Sequence, residues 1–174
     1  MESKTAAGGK SATSQKDLSD LFEHGLKDMY YAEKKILKAL PKMIKAAQEQ
    51  KLKDALEKHR DETSGHVETL ESVFEMIGKR AKSEKCDAID GILEEGTGLL
   101  EDFGGTETGD AAIIFSAQAV EHYEISRYGS LVAFATALNL KDAAKALKSV
   151  LDQEYAADKG LSAMAETGLN RKAA

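Results

Sequence analysis

Residues 59–78 read HRDETSGHVETLESVFEMIG, and this stretch decides the fold. Set on a helical period with Leu52, Ala55 and Leu56 upstream, one face carries His59, Glu62, Thr63, His66, Val67, Leu70, Val73, Phe74 and Ile77. Recurrence at i, i+3, i+4 and i+7 is the mark of a helix that buries a single stripe. Gly78 supplies the stop. The stripe is apolar at both ends and polar in the middle. Two histidines and a carboxylate stand where a helical bundle would place leucines.

Working outward, the same period extends across most of the chain. Upstream, a helix is expected from about Leu18 to Gln48, with Asp17 as its cap. Its stripe holds Leu18, Leu21, Phe22, Leu26, Met29, Tyr30, Glu33, Leu37, Leu40 and Ile44. Pro41 falls inside it and should kink or split it. Downstream, helices are expected over about Asp110–Leu138 and Leu140–Thr167, with a tight turn at Asn139 and a stop at Gly168. Between residues 79 and 109 lies a long connection with a shorter amphipathic helix bearing Ile89, Ile92, Leu93, Leu99, Leu100 and Phe103. Two short connections and one long crossover describe an all-α, ferritin-like antiparallel four-helix bundle with an extra helix in the crossover. The expected division is a disordered tail over 1–16, one bundle domain over 17–168 and a C-terminal tail over 169–174.

Composition narrows the function. The chain has 174 residues, with 42% apolar and 31% charged residues, and suits one globular domain. A net charge of −6 argues against nucleic acid and anionic membrane as partners. No apolar run approaches the ~20 residues of a membrane span, and no signal-peptide pattern opens the chain. Cys86 is the single cysteine, so no internal disulfide forms. That fits a reducing cytoplasm. It reads as an inert surface or half-buried thiol.

Each stripe is broken by groups able to bind metal. Glu33 interrupts the first helix, His59, Glu62 and His66 the second, Glu121 and Glu124 the third, and Glu154 and Asp158 the fourth. In an antiparallel hairpin, residues equidistant from the turn lie side by side. Glu33 and Glu62 straddle the first turn almost symmetrically, as do Glu33 and His66. Glu124 and Glu154 straddle Asn139. Several carboxylates at one buried level repel one another and lose hydration, at several kcal/mol for each charge left unpaired. No Lys or Arg shares the stripes at this level. Protonation or bound cations answer the problem, a metal pair most economically, and carboxylates with one or two imidazoles suit iron or manganese. The usual Glu-x-x-His pair is absent. The second helix instead reads His59-x-x-Glu62-x-x-x-His66, leaving the choice between His59 and His66 open, and the fourth helix has no histidine. Tyr30, Tyr123 and Tyr128 fall near the same level, as core residues or as hydrogen-bond partners of the ligands.

The strings KDMYYAEKKILKALPKM (27–43), HRDETSGHVETLESVFEMIG (59–78), KCDAIDGILEEG (85–96) and AVEHYEISRYGSL (119–131) resemble the YciE/YciF family of bacterial ferritin-like stress proteins. The resemblance spans about Asp17 to Glu166. It implies a ferritin-like fold, a cytoplasmic stress-associated role, a homodimer and a di-metal centre. By position it points to Glu33, His59, Glu62, Glu121, Glu124, Glu154 and Asp158, and less clearly to His66. The combined expectation is two iron or manganese ions per chain, iron favoured, reacting with O2 or peroxide in a ferroxidase or peroxide-consuming reaction. Substrate hydroxylation is less expected, because no sizeable apolar pocket is legible. The alternative is a non-enzymatic structural or interaction bundle. A storage cage is not expected, because no fifth helix follows the fourth.

Overall fold

The computed structural model describes residues 16–174, and the expected N-terminal tail lies, up to Gln15, outside the described residues. The order is α1 (Leu18–Ala46), α2 (Gln50–Met76), α3 (Asp87–Phe103), α4 (Glu107–Ala137) and α5 (Lys141–Met164). A π-helical turn at Ala165–Leu169 then leads into α6 (Asn170–Ala173). Among the described residues there is no strand.

Local chemistry explains the boundaries. Asp17 caps α1 reciprocally with Asp20, each carboxylate accepting the other's backbone N–H at 2.9 and 3.0 Å. Pro41 lies inside α1 without splitting it. Gly78 takes a φ of 68° and Asn139 a φ of 59°, the left-handed conformation that ends a helix and reverses the chain. Thr106 caps α4 by accepting the Gly109 N–H at 3.1 Å. At α2, Glu49 offers no side-chain cap. Asp110 of α4 takes that role across the molecule, accepting the N–H groups of Gln48 at 2.7 Å and Glu49 at 2.8 Å.

α1 packs on α2, α2 on α5, α5 on α4 and α4 on α1, so the four long helices enclose a common interior. α3 lies outside that ring, against α1 and α4. The interior is filled by Phe22, Leu26, Met29, Leu52, Leu70, Phe74, Ile113, Leu131 and Leu147, all nearly or fully buried. Each such side chain contributes about 1.5–3 kcal/mol on burial.

Two expectations are corrected. The fourth helix does not stop at Gly168, and residues 170–173 are helical rather than a tail. The reason is packing: Ala165 and Leu169 are both buried, and the wider π turn keeps them facing the interior. Cys86 is buried rather than at the surface, with its Sγ 3.0 Å from the Tyr123 hydroxyl.

Candidate metal centre

Besides Thr63, the stripes carry six carboxylate and imidazole side chains into the interior. Glu33 of α1, His59 and His66 of α2, Glu121 and Glu124 of α4, and Glu154 of α5 are all buried, Glu33 and Glu154 completely. His59 and His66 stand about two turns apart and share a face. Glu121 and Glu124 share one by their i, i+3 spacing.

These six form two overlapping groups. His59, Glu121, Glu124 and Glu154 offer ligand atoms all within 4.8 Å of one another, and so do Glu33, His66 and Glu154. Glu154 belongs to both. His59 Nε2 lies 3.3 Å from Glu121 Oε1. His66 Nδ1 lies 3.0 Å from Glu154 Oε1 and 3.4 Å from Glu33 Oε1. Two neighbours orient the groups from outside. Gln153 Oε1 lies 2.8 Å from His66 Nε2 and accepts its N–H, which leaves Nδ1 facing the carboxylates. The buried Tyr128 hydroxyl donates to Glu33 Oε1.

Nine buried side-chain atoms in the described structure make no hydrogen bond of good geometry, His66 Nδ1 and Glu154 Oε1 meeting only as an ion pair, and every one belongs to these six residues. They are Glu33 Oε2, both nitrogens of His59, His66 Nδ1, Glu121 Oε2, and both carboxylate oxygens of Glu124 and Glu154. Native interiors hold very few such orphans, and each one costs about 1–3 kcal/mol. No Lys or Arg pairs with the four carboxylates, whose ionic contacts among the described residues are to histidine.

With protons as the only cations, the groups divide them. Burial pushes the Glu121 carboxyl up to about 10, helped by the negative charge of Glu154. Burial, with Glu33 next, raises Glu124 well above the carboxylate range. Glu154 resists burial because His66 holds it below its ordinary value. His66 is opposed by burial, yet Glu154 and Glu33 together lift it to about 11. Burial lowers His59, which stays neutral. The cluster therefore holds protons at neutral pH where a cation would otherwise balance the charge.

Two expected residues fall outside both groups. Glu62 is half-buried and paired with Lys58 on the surface side of α2. Asp158 is also half-buried, accepting Gln118 Nε2 at 3.0 Å and facing His122 Nε2 at 3.2 Å. Each sits on the rim of the stripe, where the helical rotation turns the carboxylate to water. Tyr30 and Tyr123 donate elsewhere, to Glu71 at 2.7 Å and Asp28 at 2.6 Å, leaving Tyr128 as the tyrosine of the site. The part played by Gln153 had no visible signal, since it lies off the apolar stripe beside Glu154.

Comparison with known proteins then places the chain. The family model described as a domain of unknown function, DUF892, matches residues 17–174. The chain belongs to the DUF892 family. It is 40% identical to Protein YciF of Escherichia coli strain K12 over 159 residues, covering 91% of this chain and 96% of that protein. This bears out the resemblance read from the four sequence strings. The crystal structure of the E. coli stress protein YciF superposes with a TM-score of 0.86 at 40% identity, covering 91% of this chain and all of that one. YcfI of Rhodopseudomonas palustris, a proposed structural protein, gives 0.83 at 40% identity, covering 88% and 98% of the two chains. A Xanthomonas campestris protein at 21% identity and a TM-score of 0.65, covering 86% and 90%, shares the fold. DUF892 membership thus accounts for the all-helical architecture, and no described helix is long and apolar enough to cross a membrane.

Proposed function

We propose that this DUF892 protein is a cytoplasmic, homodimeric stress protein with a ferritin-like four-helix bundle that holds two iron or manganese ions per chain. The observation that carries the reading is that all nine orphaned buried atoms lie in one layer and are carboxylate oxygens or imidazole nitrogens. That donor set fits iron or manganese. His59, Glu121 and Glu124 would hold one ion, Glu33 and His66 the other, and Glu154 would serve both. When bound, such a pair supplies Lewis acidity and redox equivalents toward O2 or peroxide, so a ferroxidase or peroxide-consuming reaction follows. The chain's own residues prepare the place. Gln153 fixes the His66 ring, Tyr128 orients Glu33, and the surrounding apolar side chains exclude bulk water.

A structural bundle is the second reading. The raised Glu121 and Glu124 favour it, because carboxyls that keep their protons can be buried without metal. The related YcfI is named as a proposed structural protein. Elemental mass spectrometry on protein from iron- and manganese-supplemented cells separates the two. The metal reading expects close to two ions per chain in wild type, about one in Glu33→Ala and none in Glu154→Ala. Metal-free wild type that stays empty after anaerobic Fe2+ or Mn2+ addition supports the structural reading. In that case replacing the His66–Glu154 pair together, by His66→Leu with Glu154→Leu, should leave stability unchanged or raise it, as apolar replacement of a whole buried ion pair often does.

A further inference from the structure

A cavity of about 170 Å3 adjoins the centre on its His59 side. Its walls are apolar, with Ile36, Leu56, Val120 and Leu161 contributed by the four long helices. At its inner end stand His59 and Glu121. It reaches the surface where α5 carries only small residues, the exposed Ala156 and Gly160. A chain that needed only a sealed core would place larger side chains there. An addition at Gly160 meets no atom within 4 Å.

Size and lining define what fits. An apolar cavity of about 150 Å3 accommodates benzene, so this one suits a molecule with a single six-membered ring or a short branched alkyl group. Charge narrows it further. Lys58 and Glu62, which also line the cavity, are already paired with each other. With no Lys or Arg free in the lining, an anionic ligand would lose its hydration uncompensated against the apolar walls of the metal-free cavity, and a cationic one would do the same. At the inner end, both His59 nitrogens and Glu121 Oε2 lack partners. A hydroxyl, which donates and accepts, matches that end.

We infer that the cavity is a binding site for a small neutral molecule, apolar over most of its surface and carrying one hydroxyl, in the manner of a phenol or short alcohol. The site brings the hydroxyl end to His59 and Glu121. It deepens the metal reading, because both residues belong to the proposed centre, but the cavity itself does not depend on a bound ion.

Phenol is the probe, titrated into the full chain both as purified and after chelation and followed by two-dimensional NMR. Saturable binding is expected in both forms, with shifts in the His59 ring signals and in the amides of Leu56, Val120 and Leu161. Ala157→Leu and Gly160→Leu, which place bulk in the cavity wall and mouth, each weaken binding at least tenfold. Gly160→Ala, which adds a single methyl group, retains it and reports on folding. Benzoate binds the chelated protein at least tenfold more weakly than phenol does. The inference is overturned if phenol does not saturate wild type, if both leucine variants bind it equally well, or if benzoate binds the chelated protein as tightly. Phenol binding to a protein that takes up no metal would leave the cavity standing and remove the centre. Metal uptake without phenol binding would do the reverse.

Discussion

At the scale of single residues, Glu154 is the pivot, the one side chain common to both donor groups. Its loss should therefore empty the site, whereas loss of Glu33 should spare the His59 group. Metal-free protein should also show a particular pH dependence. Glu121 and Glu124 hold protons in the folded chain far above the ordinary carboxylate range of about 4.3. A raised folded pKa contributes stability that is complete below the unfolded value and is lost as pH climbs through the folded one. His66, lifted to about 11, acts in the same direction. Glu154, held low, opposes them only on the acidic side. Calorimetry on the metal-free form should show a falling midpoint from pH 6 to pH 9, and Glu121→Gln should flatten that slope. A midpoint that rises with pH would contradict the burial described for these carboxyls. Most of this layer was legible in the sequence, because Glu33, His59, His66, Glu121, Glu124 and Glu154 each interrupt an otherwise apolar stripe. Glu62 and Asp158, expected in the layer, stand at its rim outside both donor groups. Stripe position fixes a side chain's direction only to within part of a turn, and at the rim a neighbour such as Lys58 or Gln118 decides where the carboxylate goes.

Among the elements, the register between hairpins depends on a contact that periodicity does not reveal. Asp110, buried near the start of α4, accepts two backbone N–H groups at the α1–α2 turn. It serves as a cap supplied from a distant part of the chain. Asp110→Ala leaves both donors unsatisfied and should destabilise by about 1–3 kcal/mol, read as a lower urea midpoint with an unchanged slope. A midpoint within error of wild type would show that water replaces the carboxylate without cost. The helices themselves were readable to within a few residues, since amphipathic runs as long as the 29 and 27 residues of α1 and α2 leave little ambiguity. The C-terminal end was not. Gly168 reads locally as a stop, yet the buried Leu169 holds the chain helical through the π turn. Tertiary burial outweighed local propensity.

For the whole molecule, the charged layer sits in the interior enclosed by all four long helices. Anything that balances its charge in the folded state alone should stabilise the whole fold. At free metal a hundredfold above the dissociation constant, the gain is about 2.7 kcal/mol for each occupied site, or a rise of roughly 5–10 °C in melting temperature per site for a domain of this size. Chelation followed by Mn2+ addition should reverse and restore that shift in wild type and leave Glu154→Ala unmoved. The apolar cavity was not legible at all in the sequence. Its lining comes from all four long helices, with the small Ala156 and Gly160 on α5, so it depends on how the helices dock rather than on any one helix alone.

The most direct test is anomalous diffraction at the manganese or iron edge from crystals grown with that metal. Two peaks per chain are expected, one within coordination distance of His59, Glu121 and Glu124, the other of Glu33 and His66, with Glu154 reaching both. Density without an anomalous peak among the four helices, in crystals whose solution contains the metal in excess, would contradict the account.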